Sequence, residues 1–295
     1  MITRRSLLGG LAALAGCSQR ADKAAQKATA DWHELSFSRG GEADGEQRAL
    51  VFAPPGSQKW PVLIALHGRG EAGRGVDAGA RGWRDDYELG RAIDALRSGE
   101  VRAADAGHLL SPERIVAINT SLKASPFLGL VIACPYTPVP RGRAPGDADA
   151  FARFLTDTLL PKVAELRGGA IERNATGIDG VSMGGRYALQ IGLTRPGVFA
   201  SVGALQPAIR EDEADAFAEL AARAAAHRPF ALRLLSSEDD PFLGPTRALS
   251  GALGARKIPH GLQVTSGPHD YVWNRGPGSI ELLIHHERAL RGLLP

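Results

Sequence analysis

Three observations predict an α/β fold, a mainly parallel sheet covered by helices on both faces. Short apolar runs with no polar alternation recur along the chain, as in strands buried on both sides. Helix-spaced segments separate these runs. At one junction of the two stands a Gly-x-Ser-x-Gly pentapeptide. In order, residues 33–38 and 48–53 alternate and read as antiparallel strands, the second stopped by Pro54-Pro55-Gly56. Pro61-Val62-Leu63-Ile64-Ala65-Leu66 is the most strand-like run. A glycine-rich loop, a helix over 85–97, a long irregular stretch over 99–129, a strand over 130–134 and a helix over 149–166 follow. The stretch 99–129 is long for a connection and reads as a binding element, or as a loop tucked onto the core through Leu109-Leu110 and Pro126-Phe127-Leu128. The remaining alternation is strand 175–181, a helix carrying 187–193, strand 198–205, helix 211–227, strand 230–235, helix 246–253, strand 262–265 and helix 279–290.

The chemistry concentrates at strand ends. Ser182, in Gly180-Val181-Ser182-Met183-Gly184, stands between a strand and a helix, where a tight turn lifts a hydroxyl above the sheet. A serine hydroxyl needs an adjacent base, and an imidazole base needs a carboxylate to hold its tautomer. Downstream, one strand ends in Glu238-Asp239-Asp240-Pro241, and the next in Ser266-Gly267-Pro268-His269. That gives Ser182, an acid among those three, and His269, in chain order. Upstream, strand 61–66 ends in His67-Gly68-Arg69-Gly70, where the amide of Arg69 joins that of Met183 as donors to a tetrahedral oxyanion. His67 reads as a packing residue beneath that loop.

These residues together resemble the esterase D-like branch of the α/β-hydrolase superfamily: His67-Gly68-Arg69-Gly70, Gly180 to Gly185, Asp240-Pro241-Phe242-Leu243 and His269-Asp270-Tyr271-Val272-Trp273. The resemblance spans 62–295 and implies an α/β-hydrolase fold, a serine esterase acting through an acyl-enzyme, and no metal or organic cofactor. It selects Asp240 as the acid, since Asp240 opens an Asp-x-Phe-Leu segment, and Pro241 would fix the exit of the loop. Branch members act on varied esters, so it implies a chemistry and leaves the substrate open. A peptidase or an acyltransferase would use the same site. Two other classes compete. Gly68-Arg69-Gly70-Glu71-Ala72-Gly73 matches the dinucleotide fingerprint, but the glycine-rich segment after it opposes the helix that fingerprint requires. A non-catalytic envelope lipoprotein could keep the fold for binding.

Residues 1–17 read as an address. Thr3-Arg4-Arg5-Ser6-Leu7-Leu8 is a twin-arginine pattern, the apolar stretch 7–15 is too short to span a bilayer, and Leu14-Ala15-Gly16-Cys17 resembles a lipobox. The resemblance implies lipid on Cys17 and export to the periplasmic face of a bacterial membrane, the outer one favoured by Ser18. Residues 18–30 read as a tether and 31–295 as one domain. The expected partners are the membrane, through the lipid, and a small-molecule or cell-envelope ester. Net charge is +3, and losing Arg4 and Arg5 with the signal lowers it by two, to +1, which leaves no basic footprint for nucleic acid. Arg69, Arg74, Arg81 and Arg84 cluster after the oxyanion strand, where they could steer an acidic substrate or lie solvated. Cys134 has no partner for an internal disulfide and reads as a core residue. His285 and His286 diverge on one helix and do not suit a shared metal.

Overall fold

The computed structural model describes residues 31–38, 46–54, 59–166, 168, 171 and 175–294. The export signal, Cys17 and the tether lie outside the described residues. One eight-stranded sheet runs through the domain in the order β1-β2-β4-β3-β5-β6-β7-β8. The strands are β1 (Asp31–Phe37), β2 (Gln47–Ala53), β3 (Val62–Leu66), β4 (Val131–Pro135), β5 (Thr176–Gly180), β6 (Ser201–Leu205), β7 (Ala231–Asp239) and β8 (Gly261–Pro268). β1 pairs antiparallel with β2, and β2 with β4. From β4 to β8 every pairing is parallel. Eight strands, mostly parallel, with helices on both faces are the architecture that the alternation predicts, and they make the α/β-hydrolase fold that the resemblance implies.

Every residue of β3, β4, β5 and β6 is buried, which is why β3 and β4 are apolar throughout, while β5 and β6 bury Thr176, Asp179 and Ser201 as well. The core has two halves. On one face Phe151, Phe154, Tyr187, Ile191 and Phe217 pack together, and on the other Trp83, Tyr87, Ile93, Leu96, Trp273 and Leu283. The buried Cys134 belongs to the second half, and burial pushes its thiol pKa up.

The chain departs from its pattern at three places. After β3, three short helices, α1 (Arg69–Ala72), α2 (Val76–Ala80) and α3 (Gly82–Asp85), replace the expected glycine-rich loop. The helix expected over 85–97 is α4 (Leu89–Arg97), because Glu88 takes φ 48° and interrupts it. Within the stretch expected to be irregular lies α5 (Pro112–Ala124), started by Ser111, whose side chain accepts from Arg114 N, and by Pro112 at the first position. Only Ile118 and Leu122 of α5 are buried, too few to show a helical stripe in sequence. Leu110 and Phe127 tuck into the core rather than lining the candidate site.

The remaining helices are α6 (Asp149–Arg153), continued by a π turn at Phe154–Leu159 into α7 (Leu160–Leu166), then α8 (Met183–Thr194), α9 (Ala214–His227), α10 (Leu243–Ala255), α11 (Tyr271–Trp273) and α12 (Ser279–Leu290). Beneath β5 and β6 lies a buried ionic cluster. Asp179 Oδ2 accepts from Arg233 Nη2 at 2.6 Å and lies 3.0 Å from His286 Nε2 of α12. Gly203 makes room for it, since a Cβ there would overlap the Asp179 carboxylate.

Candidate active site

Strand order creates the site. The chain leaves β3 to one side for β4 and returns on the other for β5, so the carboxyl ends of β3 and β5 open side by side, with Leu66 opposite Gly180. Ligands of open parallel sheets bind at such switch points. Here the segment after β3 carries Arg69, and the turn after β5 carries Ser182.

Ser182 has φ 57° and ψ −118°, a strained conformation for a residue with a side chain. The surroundings hold it. Val181 N donates to Leu66 O at 3.1 Å and Ser182 N to Leu205 O at 2.9 Å, while Ser182 O accepts from Arg186 N and Ala208 N. The flanking glycines are obligatory because β3, β5 and α8 approach so closely. A Cβ on Gly180 would lie 2.5 Å from the carbonyl carbon of Gly184, and one on Gly184 would overlap Leu66 O.

Asp240 leaves β7 with its side chain fully buried, and its Oδ1 lies 2.9 Å from His269 Nδ1. Ser236 Oγ donates to Asp240 Oδ2 at 2.5 Å and Phe242 N to Oδ1 at 3.0 Å. A carboxylate can only accept here, so Nδ1 carries the imidazole proton and Nε2 is left as the base. Glu238 and Asp239 are exposed, and Asp239 pairs with Pro268 of β8. Ser182 and His269 line one cleft of about 230 Å³ without a direct hydrogen bond between them, as catalytic pairs often do before substrate binds.

Arg69 and Met183 are the first residues of α1 and α8, and first-turn amides have no acceptor within their helix. The chain's own residues fix the loop that carries Arg69. Gly68 N donates to Tyr87 Oη at 3.1 Å, Tyr87 Oη donates to Glu71 Oε2 at 2.5 Å, and Tyr271 Oη to Glu71 Oε1 at 2.7 Å. The loop after β3 is thereby tied to the loop bearing His269. Burial pushes the Glu71 carboxyl up, but the tyrosine hydroxyls outweigh it and hold the group below its ordinary range, so it stays ionised. A buried carboxylate at this turn repels a pyrophosphate, which counts against the dinucleotide reading. Gln206 braces the other side. It is buried at φ 42°, and its Nε2 donates to Ser237 Oγ at 2.7 Å and Pro268 O at 3.1 Å. The sequence gives no sign of the roles of Glu71, Tyr87, Ser236, Gln206 and Tyr271. A lone glutamate among glycines reads as solvated, and nothing in its neighbourhood announces the two tyrosines that bury it.

Of the arginine cluster, Arg74 pairs with Asp86, Arg81 with Glu34 and Arg84 with Asp85, so most of its charge is locally compensated. Arg69 alone of the four lines the cleft.

His67 is buried under the loop after β3, with Nδ1 2.8 Å from Gly68 O and Nε2 accepting from Thr137 N at 2.8 Å. Burial pushes its pKa down to about 4, and burial likewise lowers His285 and His286. The unfolded chain takes up protons on these groups below about 6.5, whereas the folded chain resists until about 4 at His67. The stability that a neutral His67 contributes is therefore fully present above pH 6.5 and lost progressively as pH falls toward 4. Urea midpoints at pH 8, 6 and 5 should decrease in that order. A midpoint that stays level or rises toward pH 5 would contradict these neutral buried histidines.

Comparisons with known proteins agree with the fold and the chemistry. Residues 130–272 match the model of a family described as "Putative esterase". No sequence among the curated proteins matches the chain. A solved ferulic acid esterase is similar at TM-score 0.65 and 16% identity, over 88% of this chain and 99% of that one. An S-formylglutathione hydrolase from Staphylococcus aureus is similar at TM-score 0.60 and 13% identity, over 90% and 99%. A fluorophosphonate-binding serine hydrolase of the same organism is similar at 0.57 and 12%, over 90% and 98%. At these identities the structures speak for the fold, and the family match gives the enzyme class, a carboxylic ester hydrolase. Among the described residues, no three His, Cys, Asp or Glu side chains stand where they could share a metal ion, and no helix is long and apolar enough to cross a membrane.

Proposed function

We propose that this chain is an exported, lipid-anchored serine esterase whose triad is Ser182, His269 and Asp240. The observation that carries the reading is the Asp240–His269 contact at 2.9 Å beside a serine on a strained elbow. Ser182 Oγ attacks the ester carbonyl while His269 Nε2 takes its proton. The amides of Arg69 and Met183 receive the developing oxyanion, and Asp240 stabilises the imidazolium. His269 then returns the proton to the departing alkoxide, leaving an acyl-serine. Water, deprotonated by the same nitrogen, attacks the acyl-serine, and collapse of the adduct releases the carboxylic acid and expels Ser182 Oγ, which takes the proton back from Nε2. A fluorophosphonate probe should attach to Ser182, and the purified chain should cleave activated carboxylic esters. A folded protein that does neither would overturn the reading.

Membrane attachment is supported by Leu14-Ala15-Gly16-Cys17 behind Arg4-Arg5. Several acyl chains, at about 0.8 kcal/mol per buried methylene, would hold the enzyme at the periplasmic face of the outer membrane. Cys17→Ala should shift it out of the membrane fraction or block its processing. Mass spectrometry that finds Cys17 unmodified in the mature protein would refute the anchor.

A further inference from the structure

The cleft that holds Ser182 is lined by several side chains that carry polar groups. Among the described residues lining it, Val181 is the one aliphatic side chain, while Tyr87, Tyr271, Glu71 and Asn274 bring hydroxyl, carboxylate and amide groups. Glu71 and the two tyrosines satisfy one another. Asn274 is different. Its backbone is fixed, with N donating to Asp270 O at 3.1 Å and O accepting from Ser279 Oγ at 2.9 Å. Its side chain is not. The residue is 7% exposed, its Oδ1 is buried without a partner, and its Nδ2 makes no hydrogen bond among the described residues.

A buried amide left unpaired is destabilising, and an apolar side chain of similar size would avoid that cost if packing were its whole role. Asn274 is among the residues that line the cleft, five residues beyond His269, with its Oδ1 turned away from the open space. Its terminal torsion is soft and roughly two-fold, so a half-turn offers the cleft either N–H or C=O. A hydroxyl, donor and acceptor at once, matches both.

We propose that Asn274 selects the substrate by hydrogen-bonding a hydroxyl group carried by the ester, so that hydroxylated esters are favoured over their alkyl counterparts. The proposal rests on the Ser182 reading and says what the same cleft accepts. A site built to bond a hydroxyl discriminates strongly against the analogue lacking it, because its own polar group is then sealed in unpaired. The small volume suits a short group bearing such a hydroxyl rather than a long alkyl tail.

The test uses the purified full chain and two ester pairs that differ only in hydroxylation. 4-Nitrophenyl butyrate is set against 4-nitrophenyl 3-hydroxybutyrate on the acyl side, and propyl butyrate against 2,3-dihydroxypropyl butyrate on the alcohol side. At least one pair should show kcat/KM favouring the hydroxylated member by about tenfold or more, and Asn274→Leu and Asn274→Ala should bring that ratio close to one, whatever the absolute rates. No preference in either pair, or a preference that survives both substitutions, overturns the proposal. So does a failure of both variants to fold or to turn over either member, which would mark Asn274 as structural. A wild-type chain that cleaves none of the four esters and takes up no fluorophosphonate sinks the Ser182 reading itself, a result distinct from lost selectivity.

Discussion

Ser182→Ala is expected to lower turnover on a cleavable ester by about 10⁶ and to leave the fold intact. The size of the effect follows from the division of labour in the site. In the proposed mechanism all bond-making passes through Oγ, so His269, Asp240 and the amides of Arg69 and Met183 would have no nucleophile to act on once it is gone. The fold should survive because the elbow is held by its backbone, through Ser182 N to Leu205 O and Ser182 O to Arg186 N and Ala208 N, none of which involves the hydroxyl. Alanine has a Cβ like serine and bears the same strain at φ 57°. The check is kcat on an activated ester beside a thermal melt of both proteins. Near-normal turnover in a well-folded variant would remove Ser182 from the mechanism.

The second large effect is expected from Asp240→Asn, about 10⁴ in turnover, the loss that follows when the carboxylate orienting a triad histidine is neutralised. An asparagine that still receives Phe242 N at Oδ1 would turn its amide nitrogen toward Ser236 Oγ, and Oδ1 would still sit 2.9 Å from His269 without the negative charge that stabilises the imidazolium. An asparagine rotated the other way would face Nδ1 with a donor and force the wrong tautomer. The first leaves the imidazolium unstabilised, and the second removes the base. Asp239→Asn, one residue earlier on an exposed strand end, should cost little. Assayed on the same ester, the pair separates the two carboxylates. If Asp239→Asn is the crippled variant, the acid is Asp239.

The legible parts of this protein were those where local chemistry and global position coincide. β3 and β4 could be read because strands buried on both faces are apolar throughout, and the turn around Ser182 because three backbones converging on Gly180 and Gly184 admit no side chain there. The acid was narrowed to three adjacent carboxylates by position, and the Asp-x-Phe-Leu resemblance pointed to Asp240. Burial then distinguishes that residue from Glu238 and Asp239, and burial of one carboxylate among three in a row depends on where the strand stops. What escaped was non-local. α5 has only two buried side chains and is held mainly by polar contacts, such as Arg114 with Glu281 on α12. The Tyr87–Glu71–Tyr271 bridge joins residues 200 positions apart, and no window along the chain contains both ends.

The ionic cluster under the elbow bears on when the site is made. Asp179 lies three residues before Ser182, yet its partners Arg233 and His286 lie 54 and 107 positions later in the chain. Until β7 and α12 have docked, the elbow strand holds a carboxylate in apolar surroundings with only the neighbouring Gly180 amide to offset its charge, which opposes closure of that strand into the sheet. The turn that carries Ser182 is thus expected to settle late in folding, timed by the arrival of a distant helix rather than by its flanking glycines.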